Sequence, residues 1–281
     1  MADKTTVRRV LRLFAISAKM DMMWLLRDTK FAVIGILGDI INNVATLSGV
    51  FLIATRFGGI GGMSSDEVLF MMAYSTLTTG IFVLFGSANN IHVSRIIGRG
   101  QLEHLFVQPL PLGVQLFTCG FCPFTSGGNV VVGAALMVIA ISRSGLQISL
   151  LWVGFLIASL ITTMVIIIAR SYLVSSVAFY SPVAAEEIST TTIEGTWFLS
   201  TFPLSGMPLF VQIPLLTILP EGLMVWFPAM CLLGRPPLNL TMYYPMIFAL
   251  LLSLVARYVF RKGLKHYVSR GSNRYVRHGF R

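Results

Sequence analysis

The sequence predicts an all-α, polytopic membrane protein with six transmembrane helices. Of its 281 residues, 55% are hydrophobic and only 11% carry a charge, whereas a soluble domain carries about 25% charged residues. Several apolar stretches reach the roughly 20 residues that a helix needs to cross a bilayer. Barrel strands would be about half as long and would alternate in polarity, so helices are the expected spanning elements.

The expected order of elements begins with an amphipathic helix over residues 5–28. Its apolar side chains share one side, opposite Arg8, Arg9, Arg12 and Lys19, as in helices that lie in the membrane interface. An ordinary cytoplasmic extension of the first span is the alternative. The apolar side is formed by Val7, Val10, Leu11, Phe14, Ala18, Met22 and Leu25.

Six spans follow, and residues 1–281 are expected to form one membrane domain. Residues 1–30 precede the spans, residues 31–260 contain them, and residues 261–281 form a basic cytoplasmic tail. The six spans are predicted at residues 31–55, 67–91, 113–141, 147–178, 193–216 and 240–260.

Basic residues are distributed unequally between the two sides of the membrane. With the N-terminus inside, 18 of the 21 lysines and arginines fall on the cytoplasmic side, Arg170 among them. The outer side keeps Arg56, Arg143 and Arg235. The positive-inside rule therefore predicts cytoplasmic termini and an even number of spans. Because the net charge of +10 is concentrated beside the spans, it indicates membrane topology rather than nucleic-acid binding.

One apolar stretch does not fit a simple count of spans. From Trp197 to Gly234 only Glu221 is charged, yet five prolines interrupt the run, and prolines at that density break helices. The stretch is too long for one span and too short for two spans with a loop. We expect a span followed by a re-entrant segment on the outer side, where protein or water satisfies the broken backbone.

A polar segment, RIIGRGQLEHLFVQPLPLG at residues 95–113, separates the second predicted span from the third. Gly98 and Gly100 permit a sharp change of direction. QLEHLF fits one to two helical turns, with Glu103 near the N-terminal end, where a negative charge is favoured. Two prolines then end the helix. These residues leave two interpretations open, a helix that docks onto a partner and a well-formed loop.

Four segments, in order along almost the whole chain, resemble the integral membrane subunits of bacterial ATP-binding-cassette type-2 exporters. IIGRGQLEHLFVQPLP is similar to that family's IRxGxLDxLLxRPLP, and FGGIGGMSSDEVLFMMAYSTL to its glycine, turn, hydroxyl and acid pattern before span two. FPLSGMPLFVQIPLLTILPEGLMVWFPAMCLLG resembles YPxxIYPxxLxxLLTxxLPxAFxxYxPAxxLLG, and RKGLKHYVSRGSNRY resembles the closing RxGLRxYxSxGS. The chain departs from these patterns at His104, Gln108 and Glu221.

The resemblance implies a permease subunit of an exporter in the bacterial cytoplasmic membrane. Two permease subunits would form the pathway, a heterodimer being favoured, and two ATPase subunits would bind ATP and Mg²⁺. The chain itself has no cofactor by this interpretation, and it contains no phosphate-binding G-x-x-x-x-G-K-[ST] motif. The N-terminal amphipathic helix would be the elbow helix, and the proline-broken stretch would be the outer re-entrant gate.

By the same resemblance, QLEHLF would be the coupling helix, received by a groove on the ATPase. Leu102, Leu105 and Phe106 would supply the buried contact, and Glu103 and His104 the polar contacts at its edge. The candidate coupling residues are Arg95, Gly98, Arg99, Gly100, Gln101, Leu102, Glu103, His104, Leu105 and Phe106.

Polar and small residues also recur along the first predicted span. Steps of four and three residues place them on one helical face, and an ionised Asp39 at the bilayer centre costs about 2.5–3.5 kcal/mol on insertion scales. The face either lines the substrate path or packs against neighbouring helices. The path candidates are Asp39, Asn42, Asn43 and Thr46, with Glu221 at the expected outer gate.

The sequence contains no catalytic or metal-binding constellation. The four histidines lie at the cytoplasmic edge without HExxH spacing. Besides the exporter subunit, two interpretations remain open, an ion- or proton-coupled secondary transporter and a non-transporting membrane scaffold. A secondary transporter usually shows internal repeats, and none is visible here. The scarcity of charge in the spans favours a hydrophobic or amphipathic substrate.

Overall fold

The computed structural model describes residues 4–118, 121–124, 128–191, 203–235 and 240–271, and within these ranges the chain forms helices and turns without a β-strand. In chain order the α-helices are α1 (Lys4–Arg27), α2 (Thr29–Arg56), α3 (Ser65–Ile91), α4 (Val93–Gly98), α5 (Leu102–Phe106), α6 (Leu112–Thr118), α7 (Gly128–Ser144), α8 (Leu150–Ser175), α9 (described over residues 185–191), α10 (Leu209–Thr217), α11 (Glu221–Met224), α12 (Trp226–Leu232) and α13 (Tyr244–Arg270).

Within the described ranges, four helices are long and apolar enough to cross a membrane. They are α2, α3, α8 and α13, and they coincide with the predicted spans one, two, four and six. A helix pair, α10 followed by α11 and α12, makes a fifth span if it is counted as one. The chain is therefore a multi-pass helical membrane protein.

The third predicted span is not one continuous helix. Residues 113–141 were expected to cross as a single unit, but α6 ends at Thr118 and α7 begins at Gly128. Residues 121–124, which contain Pro123, are not helical. Proline lacks the backbone N–H that a helix interior requires, so Pro123 accounts for the break. The 17 residues of α7 form a shorter apolar helix.

The proline-rich stretch forms a bent helix pair. The axis turns by 68° between α10 and the α11–α12 segment, around Pro220, which precedes α11. Residues 209–216 were assigned to the end of span five, but they form the first arm of this bend. Residues 193–202 of that span lie outside the described residues. The expected break in the helix is thus present, at residues 218–220, just after the predicted end of span five.

The last helix is longer than its predicted span. We expected span six to end at residue 260 and a tail to follow, yet α13 continues to Arg270. Gly271, with φ of 73°, follows directly and its N–H donates to the Tyr267 carbonyl at 2.9 Å. A left-handed glycine is a common helix end, so the first ten residues of the expected tail extend α13.

The central helix of the bundle is α3. Its residues from Val68 to Tyr74 are all buried, as in a helix that is surrounded on every side. A Cβ on Gly80 would lie 2.5 Å from the Val130 backbone, and one on Gly133 would lie 2.5 Å from the Leu77 backbone. Glycine therefore lets α3 and α7 approach at backbone distance, as small residues do between membrane helices.

The start of α3 is set by its own sequence. The Ser64 N–H donates to Glu67 Oε2 at 2.7 Å, and the Glu67 N–H donates to Ser64 Oγ at 3.4 Å. This reciprocal pair satisfies two N–H groups that the first helical turn leaves without a backbone partner. Glu67 also binds Arg235, which follows α12, with Nε to Oε1 at 2.6 Å.

The N-terminal helix lies against the broken third span. Ser17 Oγ donates to the Thr118 carbonyl at 3.4 Å, and the buried Asp21 accepts the Phe124 N–H at 2.7 Å. Phe14 makes edge contacts with Phe117 and Phe121. Leu11, which lies on the predicted apolar side of this helix, is 64% exposed. Asp28 alone separates α1 from α2.

Candidate coupling surface and membrane path

The turn between α4 and α5 depends on Gly100. Its φ is 68°, and its N–H donates to the Ile97 carbonyl at 3.0 Å. The Gln101 N–H reaches back to the Ile96 carbonyl at 3.0 Å. These two bonds form a Schellman motif, in which a left-handed glycine ends the helix. The expected change of direction at Gly100 is confirmed.

Gly98 has a different role from the one expected. Its φ is not in the left-handed region, so it does not make the turn. A Cβ at this position would overlap the Ala185 side chain and lie 2.9 Å from the Pro182 carbonyl oxygen. Gly98 therefore allows α4 to lie directly on the segment that leads into α9.

Arg95 of α4 and Arg99, which directly follows α4, share one carboxylate on α9. Arg95 Nε lies 2.6 Å from Glu186 Oε2, and Arg99 Nη2 lies 2.8 Å from Glu186 Oε1. The buried hydroxyl of Ser94 donates to the Ala185 carbonyl at 2.8 Å. Both arginines were expected to contact a partner, but the structure uses them to join the loop after span two to the loop after span four.

Glu186 was not among the sequence candidates, although a signal for it exists. The segment YSPVAAEEISTTT is the acidic stretch after span four, and a stretch of that charge suits the basic residues of α4. The sequence alone did not show that these two segments meet. They lie at one end of the bundle, the α4–α5 end (α4, α5, residues 176–191 and the second half of α13).

The inner side of the short helix α5 is fixed to the rest of the bundle. Leu102 is completely buried among residues of the α4–α5 end. The buried Gln115 of α6 donates through Nε2 to the Leu105 carbonyl at 2.9 Å and to the Leu110 carbonyl at 2.6 Å. The expectation that Leu102 contacts an ATPase is therefore wrong, because this side chain belongs to the protein's own core.

The outer side of α5 remains open. Gln101, Glu103 and His104 are exposed, Phe106 is 43% exposed, and Val107, which follows the helix, is 83% exposed. This face combines two apolar side chains with polar groups at its edge, a composition that suits a docking surface. Leu105 is half-buried between the core and this face.

One histidine lies where α3 passes into α4. His92 Nδ1 is 2.7 Å from Ser189 Oγ of α9. Burial lowers the pKa of His92, the Arg95 guanidinium lowers it further, and the Glu186 carboxylate opposes these effects. A neutral imidazole in hydrogen-bond contact with α9 is the expected form at neutral pH.

The polar face of α2 divides into two parts. Asn43 Nδ2 donates to Asn129 Oδ1 of α7 at 2.7 Å and to the Asp39 carbonyl at 2.7 Å, so Asn43 packs helices together. Asp39, Asn42 and Thr46 lie beside Asn43 on the same face of α2, and their side chains are exposed. Among the described residues, no side chain pairs with the Asp39 carboxylate.

Glu221 does not line an open path. It is 1% exposed, and its Oε1 lies 2.6 Å from Nη2 of Arg170 on α8. Arg170 was counted as a cytoplasmic cation, but its side chain is 11% exposed and is paired inside the span. Both expectations are corrected by one contact, which neutralises two charges that burial would otherwise disfavour.

One comparison with known proteins identifies a family for this chain. Residues 40–271 match a family described as ABC-2 family transporter protein. Searches among curated proteins and among solved structures find no match. The matched region covers most of the chain and includes the α4–α5 end, the bent helix pair and α13. The chain belongs to the ABC-2 family of transporter proteins and is a multi-pass membrane protein of that family.

Proposed function

We propose that this chain is the permease subunit of an ATP-driven exporter in the bacterial cytoplasmic membrane. ATP and Mg²⁺ bind to a separate ATPase, which docks on the open face of α5. The proposal rests on one observation: this face exposes apolar side chains on a backbone that is fixed by polar contacts. Phe106 and Val107 are exposed, while the backbone beneath them is fastened by Gln115 and by the two arginines on Glu186.

Such a braced surface can transmit force. A movement applied to α5 reaches α6 through the buried Gln115, and it reaches α9 through the two short ion pairs that the half-exposed Glu186 makes. A loop without these bonds would absorb the movement. The construction supports a coupling role for the α4–α5 end, with Gln101, Glu103 and His104 as polar contacts at the edge.

A second permease subunit covers the open face of α2 in this proposal. Asp39 lies ten residues into α2, about 15 Å from its start at 1.5 Å per residue, so it lies well inside the hydrocarbon layer. A carboxylate at that depth requires protein or water rather than lipid. Cβ positions on Gly35, Gly38 and Gly49 also face open space, which suits close contact with another helix.

The second subunit is expected to be an unlike chain. In a symmetric homodimer joined through this face, two Asp39 carboxylates would approach each other, and like charges repel strongly in a medium of low dielectric constant. The substrate is proposed to be hydrophobic or amphipathic. The exposed face of α2 offers it only a few polar groups, such as Asp39, Asn42 and Thr46, and the rest of the helix is mainly apolar.

Co-purification tests the proposal. The tagged full chain is isolated from membranes, and bound ATPase is measured by nucleotide hydrolysis and by mass spectrometry. Val107→Asp should abolish the bound ATPase activity. Ile148→Asp, which alters an exposed apolar residue in the turn between α7 and α8, should leave it unchanged. Retention of full ATPase by Val107→Asp would remove α5 from the docking surface.

Accessibility to a membrane-impermeant thiol reagent tests the orientation. In a background with Cys119, Cys122 and Cys231 replaced by serine, Gln101→Cys on α5 should resist labelling in intact cells. Gln147→Cys, an equally exposed glutamine position beyond α7, should be labelled. The reverse pattern would place the α4–α5 end outside and exclude a cytoplasmic ATPase there.

A further inference from the structure

An apolar crevice of about 550 Å³ opens between α6, α8 and α13. Its walls are formed by Leu116 of α6, Ile168 of α8 and Ala256 of α13. Tyr172 and Phe260 also line it, with ring centroids 4.9 Å apart. The crevice is open to the surroundings of the bundle, and its wall residues are of the kind that contact hydrocarbon.

A stripe of cations borders the crevice. Arg257 and Arg261 line it directly, and together with Lys262 and Lys265 they also line the adjoining groove on α13. Positions 257, 261 and 265 are four residues apart, so they share one face of the helix. Among the residues that the structure describes, no carboxylate lies within 4 Å of these four side chains.

The same face of α13 is apolar closer to its start. Ile247, Leu250 and Leu254 are 57%, 63% and 56% exposed. Arg257 follows Tyr244 by thirteen residues, about 20 Å along the helix. In a hydrocarbon layer about 30 Å thick, the cations therefore lie toward one edge, where long basic side chains reach the headgroups.

We propose that this crevice is a binding site for an anionic phospholipid of the surrounding bilayer. An acyl chain lies between α6, α8 and α13, and the phosphate lies against Arg257 and Arg261. The two guanidinium groups can each donate parallel hydrogen bonds to phosphate oxygens. Lys262 and Lys265 add positive charge, so an anionic headgroup is favoured over a zwitterionic one.

The site is independent of ATPase docking. It is formed by residues of α6, α8 and α13, whereas the docking surface is the outer face of α5. Bound lipid would join three helices that meet at the α4–α5 end, because Leu116 and Phe260 belong both to the crevice and to the core of that end.

Lipid retention by the purified full chain tests the proposal. The protein is reconstituted in nanodiscs that contain equal amounts of phosphatidylglycerol and phosphatidylcholine, extracted again, and analysed by native mass spectrometry for the lipid that remains bound. The wild-type chain should retain phosphatidylglycerol in clear excess. Arg257→Gln/Arg261→Gln should lower the retained phosphatidylglycerol by roughly tenfold or more.

Two further variants separate a specific site from general attraction to a basic surface. Gly113→Phe should fill the crevice and displace the lipid without removing charge, since a Cβ on Gly113 meets nothing within 4 Å. Arg12→Gln/Lys19→Gln removes two exposed charges from α1 and should retain the lipid. Equal retention of the two lipids by the wild type, or full retention by Gly113→Phe, would overturn the proposal.

Discussion

Glu221 and Arg170 form an ion pair within the membrane-spanning part of the chain, with Oε1 and Nη2 2.6 Å apart and with side chains that are 1% and 11% exposed. Two further bonds continue along the same helices. Thr163 Oγ1 donates to the Met224 carbonyl at 2.7 Å, and Trp152 Nε1 donates to the Leu232 carbonyl at 2.9 Å. The second arm of the bent helix pair therefore runs antiparallel to α8 and is fastened to it at three levels.

We predict that breaking the ion pair on one side destabilises the protein strongly. Arg170→Met or Glu221→Leu leaves one buried charge without its main partner, a change that typically costs about 3–5 kcal/mol. The double variant removes both charges and should lose less stability than either single variant. Thermal unfolding of the purified chain measures the difference.

The exposed pair Arg143–Asp66 provides the control for this prediction. Its atoms are 3.7 Å apart and both side chains are about half exposed, so Arg143→Gln should change the free energy of unfolding by no more than about 1 kcal/mol. A double variant of Arg170 and Glu221 whose loss equals the sum of the single losses would show that the two residues are not coupled.

The two faces of α5 should respond differently to truncation. Leu102→Ala removes a completely buried side chain and should lower the free energy of unfolding by about 2–5 kcal/mol, with or without an ATPase present. Phe106→Ala alters a residue on the open face and should affect ATPase binding more than stability. Thermal unfolding of each variant without ATPase decides the matter, and an unchanged transition for Leu102→Ala would contradict the assignment of this residue to the core.

Substitutions at Asp39 and at Asn43 should likewise have different effects, one on function and the other on stability. Asn43→Ala removes the bond to Asn129 and should cost about 0.6 kcal/mol, the average for a hydrogen bond between membrane helices. Asp39→Asn removes no side-chain contact within the described chain, so the isolated subunit should unfold as the wild type does. Its effect should appear instead in assembly with the second permease subunit or in transport rate, measured by cross-linking at Thr46→Cys and by substrate efflux.

The stability of the α4–α5 end should depend on pH through His92. Its folded pKa lies below the ordinary value of about 6.5, so the unfolded chain binds the proton more readily. Stability is therefore constant above pH 6.5 and falls as the pH drops from there toward the folded pKa. His92→Asn keeps a hydrogen-bonding group near Ser189 and should flatten this dependence. Thermal midpoints measured across the range test it, and an equal slope in both proteins would exclude His92.

The sequence by itself determined the features that depend only on residues close together along the chain. Apolar runs of sufficient length predicted α2, α3, α8 and α13 as spans, because the hydrophobic thickness of a bilayer acts on each segment separately. The turn at Gly100, the short helix α5 and a break within the proline-rich stretch were also predicted correctly, since left-handed backbone and missing N–H groups are local properties.

Only the tertiary structure decided how distant segments pair. The sequence placed Arg170 and Glu221 on opposite sides of the membrane, treated Leu102 as a contact for a partner, and left Glu186 unassigned. Packing of α5, α8, α9 and α11 brought each of them to a buried or ion-paired position. The hydropathy of a residue is the same wherever the residue lies in the fold, so hydropathy cannot show which residues will surround it. That depends on which helices pack against it.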